Sequence, residues 1–177
     1  MGKAAVLDKD ESHAEGMTVH EAVWGIDHIE GYRYELHEGV LRVSPSPGFN
    51  HQRLARRLME HFKAQGRESV QELSVVFDSH NYRNPDVLRL RPETEPPGEG
   101  LVPPHYFDLF VEIVSRTTRD EDRIIKPKVY AQAGVPEYWR VEPEADGYVD
   151  MHRLEGGRYV QTRVVGVEEL LAEVAEG

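Results

Sequence analysis

"FDLFVEIVS", residues 107–115, reads as a strand buried on both faces, yet Glu112 stands in its middle. Val111 and Ile113 flank it, with Phe110 and Val114 beyond. A carboxylate inside such a run loses its hydration and needs a partner. Side chains alternate along a strand, so Asp108, Phe110, Glu112 and Val114 are expected on one face and Leu109, Val111 and Ile113 on the other. Upstream, "NPDVLRL" sets Asp86 near the start of a second apolar strand. If the two strands are neighbours, Asp86 and Glu112 converge. Two carboxylates in a low-dielectric site repel, so one takes a proton or a cation sits between them. Oxygen-only donors in a chain without cysteine favour a hard ion, Mg2+ or Mn2+.

Working outward, Thr18 and Glu21 in "TVHEAVWGI" match a capping box and predict a short helix. "GYRYELHEGVLRVSPSP" predicts a hairpin around "HEG". "NHQRLARRLMEHFKAQG" repeats Leu54, Leu58 and Phe62 on one helical face, with Gly66 as the stop. Its other face carries Arg53, Arg56, Arg57 and Lys63. "ESVQELSVVFD" and "NPDVLRL" read as two strands. Five prolines and two glycines between residues 91 and 104 exclude a regular element. "RTTRDEDRIIKPKVYAQAG" reads as a helix ended by Gly134, "PEYWRVE" as a strand, and "GYVDMHRLEGGRYVQTRVV" as a hairpin turning at Gly156–Gly157. "VEELLAEVAEG" is a terminal helix. The order predicts an α/β (α+β) fold, a mixed sheet flanked by helices with additional hairpins.

The length, 177 residues, suits one domain over residues 17–177 behind a polar tail at residues 1–16. The absence of cysteine excludes disulfides, thiolate zinc sites and cysteine nucleophiles. No run approaches a membrane span, and the expected location is the cytoplasm. The formal net charge of −11 argues against a broad grip on phosphate backbones. The nine histidines show no tight ligand pattern, so no structural zinc is expected.

Asp followed by Glu-x-Lys is the arrangement of the PD-(D/E)XK nucleases. Here Pro85–Asp86 and Glu112 stand in place, but the lysine slot on the strand is Val114. Lys126, 14 residues after Glu112, offers a repair from the following segment. Asp122, Lys126 and Tyr130 align on one face of an unbroken helix. Pro127 requires that the regular helix begin near Lys126 or kink there.

"YELHEGVLRVSPSP", a helix opening "NHQRL", then "NPDV" and "DLFVEIVSRTTRDEDRIIKPKVYAQAGVPEYWRVEP" follow one another in an order that resembles the Uma-type restriction-endonuclease-like family, a branch of the PD-(D/E)XK superfamily. The resemblance covers roughly residues 17 to 160. It implies a restriction-endonuclease-like fold, with Asp86 and Glu112 as the acids and Lys126 as the lysine moved from strand to helix. It also matches Glu35 to a recurrent acid and His51 to a recurrent histidine. The usual "SPST" is "SRTT" here, which removes no ligand. The implied activity is Mg2+- or Mn2+-dependent hydrolysis of DNA by two metal-holding acids and a water-orienting lysine.

Plainer readings compete at each position. Glu112 pairs with Arg116 or Arg119 at a sheet edge; Asp86 is ordinary turn chemistry; Lys126 is a solvated helix lysine with Lys128 as rival. Glu35 is an exposed hairpin acid, and His51 caps or packs. Arg53 and Arg57, the candidate DNA contacts beside His51, belong to a solvated face. Tyr138 and Trp139 are expected in the core. At the level of function, a nuclease fold kept as a binding or regulatory module competes with the endonuclease, and small-phosphoester hydrolysis is a third possibility. Cutting both strands takes two sites, so a homodimer is expected.

Overall fold

The computed structural model describes residues 16–115, 119–143 and 147–173. Residues 1–15 of the expected tail, and Arg116 with the two threonines of "SRTT", lie outside them.

Helix α1 (Val19–Trp24) opens on the capping box: the Thr18 hydroxyl accepts from Glu21 N, and the Glu21 carboxylate accepts from Thr18 N at 2.8 Å. Strands β1 (Tyr32–His37) and β2 (Val40–Pro45) form the hairpin. Glu38 and Gly39, at φ 48° and 73°, make the two-residue turn; with both residues at positive φ its twist matches the right-handed twist of the strands it joins. Helix α2 (Phe49–Ala64) buries Ala55, Leu58 and Phe62 along one stripe. It ends where Gly66 takes φ 69° and Arg67 N reaches back to Phe62 O.

"ESVQELSVVFD" is two strands rather than one. Glu72, at φ 55°, breaks the run into β3 (Ser69–Gln71) and β4 (Val75–Asp78), which enter different sheets. A short strand absent from the sequence reading, β5 (Asn81–Arg83), pairs with β4. Strands β6 (Val87–Leu90), β7 (Phe107–Ile113), β8 (Glu137–Glu142), β9 (Tyr148–Glu155) and β10 (Arg158–Gly166) follow, with α3 (Lys126–Gln132) between β7 and β8 and α4 (Val167–Ala172) after β10. The proline-rich stretch runs irregularly and is anchored at Val102, which is buried, bridges to Val75 and accepts from Val76 N at 3.1 Å.

The two early hairpins make a four-stranded sheet, β2-β1-β5-β4. The rest form a six-stranded mixed sheet, β10-β9-β8-β7-β6-β3, in which β7 and β8 are parallel. A parallel pair needs a crossover, and α3 supplies it. One face of the large sheet packs Leu109, Val111 and Ile113 under Leu58 and Phe62 of α2. The other packs Phe107 and Phe110 against Tyr130 and Tyr138. Tyr138 and Trp139 are both buried, as expected of core residues.

Asp108 departs from the expected alternation. The β6–β7 register runs from Arg89–Leu109 to Leu90–Phe107 and skips it. This bulge turns Asp108 away from the Glu112 face. Its carboxylate takes Arg89 Nε at 2.8 Å and also Arg67, while the Arg89 guanidinium lies over the Phe62 ring of α2.

Among the described residues no helix is long and apolar enough to cross a membrane.

Candidate active site

Val87 pairs with Val111, so the antiparallel register of β6 and β7 sets Asp86 beside Glu112. Both are buried, Glu112 completely. Ile113 N donates to Asp86 Oδ2 at 2.8 Å, tying the first acid to the strand that carries the second.

Lys126 arrives from the crossover. A wide π-helical turn, Glu121–Ile125, precedes α3. It resolves the difficulty of Pro127: proline has no N–H to give and crowds the carbonyl four residues back, and a widened turn relieves both. Pro127 then lies in the first turn of α3, where its missing donor costs nothing. The outcome is that Lys126 Nζ stands 2.9 Å from Glu112 Oε2, 3.1 Å from Asp122 Oδ1 and 3.6 Å from Glu35 Oε1. One turn on, Tyr130 donates its hydroxyl to Glu112 Oε1 at 2.5 Å. Among the described residues Glu112 is therefore held by Lys126 and Tyr130. Arg116 lies outside the described residues.

The small sheet supplies the opposite wall. Arg33 and Glu35 sit two apart on β1 and face the acids, while Leu36, on the other face, packs under α1. Glu35 Oε1 accepts from Asn84 N at 2.8 Å. Behind it, Arg83 is wholly buried, 3.8 Å from Glu35 and 3.6 Å from Glu121. Arg33 Nη1 donates to Asp86 Oδ1 at 2.8 Å. From the first turn of α2, His51 Nε2 lies 3.0 Å from Asp86 Oδ2 and 3.1 Å from the Ile113 carbonyl. Both are acceptors, so Nε2 carries the proton.

The charges set the protonation states. Burial pushes the Asp86 carboxyl up, but the His51 bond, Arg33 and Lys126 reverse that and hold it below the ordinary range. Glu112 goes the other way. Burial dominates, Lys126 opposes it, and Asp86, Asp122 and Glu35 add repulsion, so Glu112 keeps a proton more readily than an ordinary glutamate. Burial alone would strip Lys126 of its proton; Glu112, Glu35, Asp122 and Asp86 together keep it charged.

Arg33, His51, Asp86, Glu112, Asp122 and Lys126 line a cavity of about 40 Å³, walled also by Ser44, Pro45 and Pro47. That is room for a water or a bare ion. Among the described residues no three acids or histidines gather closely enough to hold an ion by themselves. A hard divalent cation needs only one or two carboxylates, its remaining positions being filled by water or substrate. The carboxylates of Asp86 and Glu112, both lining the cavity, fit such an ion.

The sequence-predicted residues thus divide. Asp86, Glu112, Lys126 and His51 meet at one cavity, while Glu35 joins them through Lys126 Nζ at 3.6 Å without lining it. Arg53 and Arg57 line a separate cleft with Pro143 and Glu168, and Arg57 makes a two-pronged pair with Glu168 at 2.7 Å. Arg33 and Asn84 were missed. The alternation of "YRYEL", with Tyr32, Tyr34 and Leu36 on one side and Arg33 and Glu35 on the other, contained the signal for Arg33.

A mixed sheet with paired acids at the ends of adjacent strands, and a lysine reaching them from the crossover helix, defines a restriction-endonuclease-like protein. The Uma2 family model, described as "Putative restriction endonuclease", matches residues 26–176, and the chain belongs to that family. The structure is similar to that of a "putative nuclease belonging to DUF820" from Anabaena variabilis ATCC 29413. The TM-score is 0.62 at 14% identity, over 84% of this chain and 94% of the other. A search of curated proteins gave no match.

Proposed function

We propose that the chain is a metal-dependent endonuclease that hydrolyses DNA phosphodiester bonds at the cavity between β6, β7 and α3. The observation that carries this reading is the helix-borne Lys126 ammonium 2.9 Å from the carboxylate of the buried Glu112, beside Asp86. Family membership supports the reaction class.

Asp86 and Glu112 would hold Mg2+ or Mn2+, which acidifies a bound water and neutralises charge on the phosphate. Lys126 orients the attacking water by donating to it. Glu35 and Asp122 keep the ammonium aimed at the cavity, a role for Glu35 distinct from direct contact with the ion. Tyr130 fixes the rotamer of Glu112. His51 and Arg33 fix Asp86, and Arg33, at the cavity wall, is placed to meet the phosphate. Positioning of this kind is worth several powers of ten in rate.

Supercoiled plasmid incubated with Mg2+ or Mn2+ tests the reading. Nicking should appear with the metal and vanish in Asp86→Ala, Glu112→Ala and Lys126→Ala. Nicking that survives all three substitutions places the chemistry elsewhere.

A second reading, a binding module without turnover, draws on the internal pairing of the acids. Asp86 is already engaged by Arg33, His51 and Ile113 N, and Glu112 by Lys126 and Tyr130. DNA binding without nicking at any divalent metal concentration would favour it.

A further inference from the structure

We propose that a second cavity, next to the acids, receives an unstacked nucleobase, so that the substrate is single-stranded or locally opened nucleic acid. The inference rests on the nuclease reading for its chemistry and goes beyond it in naming the form of the substrate.

The cavity is about 230 Å³, and it shares Arg33 and Pro47 with the acidic one. Whatever occupies it therefore lies one residue's reach from the site where the phosphate is cut. Its walls are aromatic. Tyr32 is half exposed at the rim, and Tyr34 stacks face to face on His28, with centroids 4.3 Å apart and planes 7° from parallel. Its floor is polar and fixed. Asn84 donates through Nδ2 to Tyr34 O at 2.8 Å, and its side-chain oxygen accepts from Ser74 Oγ at 2.6 Å. Arg33 joins the two cavities, with Nη1 on Asp86 Oδ1 at 2.8 Å and 3.4 Å from Asn84 O. Glu72 and Ser46 add acceptors on the wall, suited to an amino-bearing base edge.

A cavity lined by aromatic and polar side chains beside the arginine proposed to meet the phosphate matches the parts of a nucleotide taken in sequence. The base of a paired duplex is stacked and cannot enter without being turned out. The net charge points the same way. A chain at −11 cannot rely on neutralising a long run of phosphates, whereas base–aromatic stacking gives affinity with few cations.

The test is fluorescence anisotropy of the full chain, in chelator, with a labelled single strand and with the same sequence as duplex. The single strand should bind more tightly. Tyr32→Ala should weaken single-strand binding about tenfold, the loss expected of one stacked base, while Tyr32→Phe keeps it. Duplex binding should not respond to either change. Unchanged melting of the Tyr32 variants shows that they are folded. Equal or tighter duplex binding, no binding of either form, or indifference to Tyr32→Ala overturns the proposal. A chain that binds single strands through Tyr32 yet cuts nothing with Mg2+ or Mn2+ leaves this site standing and removes the nuclease reading alone.

Discussion

Glu112 and Lys126 are both almost fully buried, but they are not equivalent. Four carboxylates compete for the ammonium, so the cluster can lose an acid more easily than its cation. Glu112 is already biased toward its neutral form, by burial first, and Glu112→Gln should shift stability little. Lys126→Met leaves Glu112, Asp122 and Glu35 without their common cation, a change of the kind that costs about 3–5 kcal/mol. Urea denaturation of the two variants in chelator measures the asymmetry; equal losses would refute it. Tyr130→Phe removes a hydroxyl that donates to Glu112 inside the core. The expected cost is about 1–3 kcal/mol, the range for leaving a buried acceptor without its donor. A variant as stable as the wild type would show that Glu112 finds another donor.

The element that decides the geometry is the π-helical turn. With five residues it sets Asp122 and Glu112 on the same Lys126 ammonium, at 3.1 and 2.9 Å, while letting Pro127 begin α3. Ile124 in that turn is more than half exposed, so its deletion removes no core contact. It should narrow the turn to α-helical spacing and rotate Asp122 by about 100° relative to Lys126. Cleavage should fall by about 10²-fold, the scale of a small misplacement in a catalytic array, with α3 intact by circular dichroism. Activity close to wild type would mean that the wide turn is incidental. Such elements mark the limit of the sequence. The capping box of α1, the stripe of α2 and the Gly156–Gly157 turn were legible because each rests on residues a few positions apart. So was the pairing of Asp86 with Glu112, since a buried carboxylate demands a partner. The break at Glu72, strand β5 and the bulge at Asp108 were not legible. Each depends on which sheet a segment joins, a choice made by tertiary pairing rather than local preference. The family resemblance supplied Lys126; the wide turn that delivers it came only with the structure.

At the scale of the molecule, ion pairs tie the layers together and give stability an acid dependence. Glu142 of β8 is raised by burial, but its two bonds from Arg123 and the nearby Arg140 outweigh this and hold it below the ordinary carboxylate range. Asp86 is lowered likewise. The unfolded chain therefore takes up these protons first on acidification. Their contribution is complete above about pH 4 to 5 and is lost as pH falls through the lower folded values. The melting temperature should drop below about pH 5, and Glu142→Gln should shallow that drop. A variant with the wild-type acid profile would assign the loss to other groups. If the chain cuts both strands of a duplex, a homodimer is the expected form, seen as twice the chain mass by light scattering; a monomer that still linearises plasmid would contradict it. The proposed chemistry requires that buried Asp86 and Glu112 bind a divalent cation beside Lys126. Calorimetric titration of Mn2+ into the wild type and Glu112→Ala addresses it most directly. Saturable binding to the wild type that is lost in the variant is the predicted result, and identical isotherms for the two proteins would contradict the account.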